Sequence, residues 1–197
     1  MSAGGGAGPH GPEREAGHDR TETREGDDRA GARERDDRAE ARETERDRAL
    51  DALAGSVPYN RLIGVVFERR GDEVTARLPF APRLVGNPLI PALHGGVIGS
   101  FLEITGLVQL AWERLAVDLD QGGPAAAAIV EGRLPPIPKT VDINIDYLRS
   151  GRPRDSFARA RVQKSGRRVA HVHVEAWQDE RARPIAMLRG NFLLPEG

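Results

Sequence analysis

LHGGVIGSFLEITGLVQL (residues 93–110) opens on a His-Gly-Gly turn and continues as an apolar segment with a single acid in it, Glu103. Val97, Phe101, Ile104, Val108 and Trp112 recur at helical spacing, and Ile98, Leu102 and Leu107 extend that face almost all round. The spacing predicts a helix over residues 95–115, buried on most sides in a sheet or against a second chain. Glycines at its start leave backbone N–H groups where the helix dipole favours negative charge. Such amides, with a carboxylate nearby, are the parts needed for attack on a carbonyl. The simpler structural alternative is a glycine-capped core helix that carries an incidental Glu. Gly95 and Glu103 are eight residues apart, about 12 Å along a helix, too far to touch one carbonyl within one chain.

Strand patterns lie on both sides of this helix. Upstream, residues 63–70 and 73–80 are β-branched runs joined by Gly71-Asp72, a hairpin signature. Before them Val57-Pro58-Tyr59-Asn60 reads as a turn, and residues 81–92 as a loop rich in Pro and Gly. Downstream, residues 118–138 form a loop holding a short Ala-Ile-Val stretch and the run Arg133-Leu134-Pro135-Pro136-Ile137-Pro138, which resists regular structure. TVDINIDYL (140–148) then alternates cleanly, with Val141, Ile143, Ile145 and Tyr147 on one face and Asp142, Asn144 and Asp146 on the other. Residues 156–164 and 168–178 flank Ser165-Gly166 as a second hairpin, and 184–194 is the last strand. The order β-β-α-β-β-β-β predicts an α+β domain with one long helix against an antiparallel sheet.

Ahead of this domain the composition changes. After Met1 no Leu, Ile, Val or aromatic residue occurs before Leu50, and residues 1–48 carry ten arginines against fourteen acids. Such a segment cannot bury enough apolar surface to offset chain entropy, so residues 1–48 are expected to be a disordered charged arm and 49–197 the folded domain. Within the arm, acids and arginines spaced as Glu34 and Arg38 favour a single charged helix over residues 29–48. Leu50, Leu53 and Ala54 form a short apolar stripe that Gly55 stops.

Other classes find little support. With no cysteine there is no disulfide, thiolate nucleophile or cysteine metal site. No apolar run reaches the roughly 18 residues of a membrane span. The start, MSAGGGAGPHGP, lacks a secretory pattern, and the expected location is the cytoplasm. A net charge of −1 points to neither nucleic acid nor a membrane surface. His171 and His173 alternate on one strand face with Trp177 and are expected at the sheet surface or an interface, with no metal bound. No phosphate-binding loop, dinucleotide fingerprint or nucleophile elbow occurs.

Four pieces then carry a family resemblance: VPYNRLIGVVFERRGDEVTARLPF, GNPLIPALHGGVIGSFLEITG, KTVDINIDYLRSGRP and RARVQKSGRRVAHVHVEAW. In order and spacing, over about residues 57–194, the chain resembles the PaaI-like hotdog-fold acyl-CoA thioesterases. Its most specific part is HGG with an acid nine residues after the His. The resemblance implies a long central helix wrapped by a curved antiparallel β-sheet, and subunits paired edge to edge as a homodimer or dimer of dimers. It also implies active sites between subunits. The activity implied is hydrolysis of an acyl-CoA thioester to the free acid and CoA, with no cofactor, since coenzyme A is part of the substrate.

The same resemblance assigns residues. The Gly95 amide would polarise the thioester carbonyl. His94 would orient the turn or touch the carbonyl. Asn87 would position the water or the carbonyl. Glu103 would activate water as general base or attack the thioester directly; this branch more often has Asp there, one methylene shorter. Thr140 would hold the water. Arg149, Arg152, Arg167 and Arg168, in loops that line the CoA groove in the family, would meet its phosphates. The apolar helix face near Phe101, Ile104 and Leu107 implies a medium-chain or aromatic acyl group. Two other readings stand beside this one. The first is a non-catalytic hotdog protein that binds acyl-CoA as sensor or carrier, which has no need of Glu103. The second is an assembly protein that recruits a partner through the charged arm.

Overall fold

The computed structural model describes residues 4–5, 21–122, 128, 131–133 and 136–195, with side chains in the first helix from residue 32 onward. Most of the expected Ala-Ile-Val stretch, and residues 1–3 and 6–20 of the arm, lie outside the described residues. Two compact units are present, residues 1–43 and 44–197.

In the first unit the described backbone from Thr21 is helical, the beginning of α1 (Thr21–Gly55). Composition alone argues for a disordered chain, and the spacing of the charges argues for this helix. Glu34 and Arg38 pair at 3.6 Å, one turn apart and both exposed.

The second unit starts with the last turns of α1, where Ala49, Leu50, Leu53 and Ala54 are buried. α2 (Pro58–Ile63) replaces the expected turn. Pro58 sits in its first turn, where a missing N–H costs nothing, and Gly64 caps it at φ +81°. The first strand therefore begins later than the pattern predicts, as β1 (Val66–Arg70). It pairs in antiparallel register with β2 (Glu73–Leu78) across Gly71, whose φ of +59° the tight turn requires. The loop that follows contains a small ribbon, β3 (Val85–Asn87) against β4 (Ala92–Leu93).

The central helix, α3 (Gly95–Asp120), runs five residues beyond its expected end. Its last residue, Asp120, accepts two hydrogen bonds from the Arg46 guanidinium at 2.6 and 2.7 Å. After it come β5 (Lys139–Tyr147), β6 (Ser156–Ser165), β7 (Val169–Trp177) and β8 (Ala186–Leu193). Six strands form one antiparallel sheet in the order β1-β2-β6-β7-β8-β5. Five of them, β2, β5, β6, β7 and β8, pack along α3, and from β1 the Arg69 guanidinium lies 6.0 Å over the Trp112 ring of the same helix.

The sheet's inner face is closely matched to the helix. Ala158, Ala170, Val172, Val174, Ala176, Leu188 and Phe192 are all fully buried, as are Phe101 and Leu102 of α3. At Gly106 the helix comes so close that an added Cβ would lie 3.4 Å from Phe192 and Val174. An 18-residue window of α3 is apolar enough to cross a membrane by length and composition, and 61% of it is buried inside this sheet-wrapped fold. The architecture is the hotdog fold.

One expected detail is corrected. Val141 is 60% exposed and off the inner face. A β-bulge lies there, since Thr140 pairs with Phe192 while Asp142 pairs with Asn191. The extra residue shifts the parity of the strand. Ile143 and Ile145 still face the helix, and Thr140 joins them instead of Val141.

Truncating the sheet's central knob, Phe192→Ala, should cost about 3–5 kcal/mol in urea unfolding. Arg38→Ala, which removes only an exposed ion pair, should change stability by less than about 0.5 kcal/mol.

Candidate active site

The N-terminus of α3 is organised by His94. It is the N-cap, and its Nδ1 accepts the Gly96 N–H at 2.9 Å. Its carbonyl takes the N–H groups of Val97 and Ile98 at 3.0 and 3.1 Å. No acceptor among the described residues takes the Gly95 N–H, so this amide faces outward at the positive end of the helix dipole. The Gly95 carbonyl accepts the Tyr147 hydroxyl at 2.8 Å, tying the helix start to the end of β5. Gly86 lies against His94: a Cβ there would be 2.8 Å from both Cα and Cδ2 of the histidine. Asn87 Oδ1 accepts the Leu89 N–H at 2.9 Å and so shapes the loop ahead of the helix. The His94 ring thereby holds the turn at the helix start in place.

A second centre lies two turns further along α3. Thr140 Oγ1 donates to Glu103 Oε1 at 2.6 Å. The bulge at Val141 makes this contact possible, because strict alternation would turn Thr140 to solvent. Glu103 is half-buried, and its Oε2 is left for another donor. Beside it lies a cavity of about 170 Å³, lined chiefly by apolar side chains and also by Tyr59 and Ser100, whose hydroxyls are 3.1 Å apart. Tyr147, Tyr59 and Ser100 were not singled out by pattern. Ser100, one turn before Glu103, was the one legible signal.

The four arginines separate into two pairs. Arg149 and Arg152 border a cleft of about 350 Å³ together with Arg183 and Gln178. Arg149 donates to the Pro184 carbonyl at 2.7 Å, and the Arg152 N–H is held by Gln178 Oε1 at 2.9 Å. Arg167 and Arg168 are exposed in the β6–β7 turn. The ten residues of β6 lie between the pairs, about 30 Å of strand.

On the outer sheet face His171 and His173 bring their Nε2 atoms within 3.1 Å, and His171 Nδ1 meets Asn191 Oδ1 at 3.1 Å. Asn191 Nδ2 donates to Asp142. The amide thereby presents its oxygen to His171, whose Nδ1 must be the donor. The polar chain runs over three strands, and among the described residues no group of three or more His, Asp or Glu is placed to hold a metal.

The hotdog fold thus carries a helix N-terminus with an outward amide, and a carboxylate held by a strand hydroxyl beside an apolar cavity. Residues 91–185 match the Thioesterase superfamily. A medium/long-chain acyl-CoA thioesterase of Escherichia coli, YigI, is 34% identical over 127 residues, which span 63% of this chain and 77% of YigI. A solved structure from Chromobacterium violaceum is 36% identical with a TM-score of 0.54, covering 79% of this chain and 97% of that one. The Escherichia coli PaaI protein of the phenylacetic acid degradation operon shares the fold at 14% identity, with a TM-score of 0.56 over 74% of this chain and 90% of PaaI. The chain belongs to the thioesterase superfamily, with a PaaI-like hotdog fold.

Gly86→Ala should test how the helix start is built. The added methyl must displace the N-cap histidine, at an expected cost of about 1–3 kcal/mol. Differential scanning calorimetry would read this as a lower Tm, and an unchanged Tm would show that the loop adjusts freely.

Proposed function

We propose that this chain hydrolyses acyl-CoA thioesters to the free carboxylic acid and CoA, in a site completed by a second copy of itself. The observation that carries the reading is the 2.6 Å bond from Thr140 to Glu103 beside an apolar cavity. A carboxylate held this way, with one oxygen engaged and the other available, suits a general base. Glu103 takes a proton from water as the water oxygen attacks the thioester carbon. The oxyanion that forms accepts the Gly95 N–H. Collapse breaks the C–S bond, and the CoA thiolate leaves and takes up a proton. Direct attack by Glu103 would use the same geometry and pass through an anhydride. Either route runs on these side chains and amides, and coenzyme A departs as product.

Geometry supports the second copy. β5 is the last strand of the sheet order, so one edge has no neighbour. Val141 and Tyr147 on it, and Leu148 just after it, are 60%, 53% and 46% exposed, a poor surface to leave in water. Two-fold antiparallel pairing of β5 with itself, centred near Ile143 and Asn144, runs the two strands in opposite directions and brings Thr140 near the partner's Tyr147. Thr140 holds Glu103, and Tyr147 holds the Gly95 carbonyl, so the pairing brings the amide of one subunit toward the carboxylate of the other. It also brings Arg167 and Arg168 of one chain to the end of the sheet where the partner's Arg149 and Arg152 stand. Both pairs then suit the phosphates of one CoA. With acyl-CoA as substrate, the compartment we propose is the cytoplasm. The arm is proposed to lie outside the chemistry.

A panel of acyl-CoAs with a thiol-trapping dye tests the reaction. Wild type should release CoA, and Glu103→Gln should lower kcat/KM by about 10²–10⁴. Release from no member of the panel overturns the activity. An equally active Glu103→Ala overturns the assignment of the base. A chain beginning at Thr44 should match the full chain in this assay. Light scattering should give at least twice the 21.4 kDa of one chain, and a monomer mass would remove the shared site.

A further inference from the structure

The cavity beside Glu103 has a direction. It follows one stripe of α3, in which Ser100, Glu103, Ile104, Leu107 and Ala111 recur at steps of three and four. Opposite the stripe stand Leu53 from the end of α1, Val57 from the link, and Tyr59 and Asn60 from α2. Arg46 clasps Asp120, and Tyr59 meets Ser100. Between these ties the chain runs antiparallel to α3, so Leu53, seven residues after Arg46, arrives about level with Ala111. Glu103 and Tyr59 therefore mark the near end of the cavity, and Leu53 and Ala111 mark the far end, about 12 Å along the helix.

The far wall is fixed. Arg46 pairs with Asp120 and Asp72, and Asp47 pairs with Arg69 at 2.9 Å. Asn60 Nδ2 donates to the Ala54 carbonyl at 2.9 Å, and Arg61 donates to the Gly55 carbonyl. Leu53 is 1% exposed and Ala111 is 4% exposed. A wall held from both sides does not swing aside for a longer guest.

We propose that Leu53 and Ala111 form the stop of an acyl-chain cavity and set the chain length the enzyme accepts. This rests on the thioesterase reading above and adds its specificity. An apolar cavity of about 150 Å³ takes a benzene-sized guest, so 170 Å³ fits a saturated acyl group of about six to eight carbons. Each methylene that enters the cavity adds about fourfold to kcat/KM, until the stop is reached. Beyond it, a further methylene must distort a packed wall and loses that gain.

The test is kcat/KM of the full-length protein on butyryl-, hexanoyl-, octanoyl-, decanoyl-, dodecanoyl- and hexadecanoyl-CoA. Wild type should peak at hexanoyl- or octanoyl-CoA. Leu53→Ala should move the optimum to longer chains, and Ala111→Leu should lower the octanoyl-to-butyryl ratio by about tenfold or more. Leu107→Trp, at a half-buried position midway along the stripe, narrows the same cavity without deleting core and should lower that ratio too. Circular dichroism confirms folding of each variant. An optimum that stays put in the folded variants overturns the stop while leaving the thioesterase reading intact. Wild type that cleaves no member of the series overturns that reading itself.

Discussion

A helix that is apolar almost all round cannot lie on a surface, and every other element of this domain answers to that. The sheet covers one side of α3 with alanine and valine on β6 and β7, where the helix must come close, and with the larger Leu188 and Phe192 on β8. One antiparallel sheet covers only part of a cylinder. The remaining side is taken by the last turns of α1 and by α2, held down by Arg46, Asp47 and Asn60. Apolar burial supplies the drive, and the ion pairs at the rim set where the covering segment stops.

The same burial shapes the chemistry. A carboxylate placed on such a helix must find a polar partner or stay near solvent. Glu103 does both, meeting Thr140 on the strand and the mouth of an apolar cavity on the other side. Because the helix is straight, the amide at its start and the acid in its middle cannot serve one substrate within a chain. The unpaired edge of β5, with exposed Val141 and Tyr147, is where the second chain joins them in the reaction we propose.

Much of this was legible in order and spacing. The all-round apolar run announced a wrapped helix, Gly71-Asp72 announced the hairpin, and HGG with its acid pointed to both centres of the site. Other features were not legible, for physical reasons. Asn60 and its neighbours read as a turn because Pro58 is as much at home in a helix's first turn as in a loop. In the arm, composition and charge spacing point different ways, and the helix was legible only in the spacing, since composition reports on burial and not on i,i+4 pairs. The arginines read as one cluster, yet Arg152 and Arg168 lie at opposite ends of β6, because sequence order does not say which strand ends share a side.

The sequence by itself determined the fold class and the order of the main elements, because these follow from local periodicity and from residues adjacent in the chain. Only the tertiary structure decided which way Thr140 points. Alternation from Val141 to Tyr147 turns Thr140 to solvent, and a single extra residue in the β5–β8 ladder reverses it. A bulge is a property of two strands in register, and nothing in the nine residues of β5 alone records it. Likewise, that Leu53 and Ala111 line one cavity is decided only once the helix is wrapped, with Arg46 bound to Asp120 across the fold.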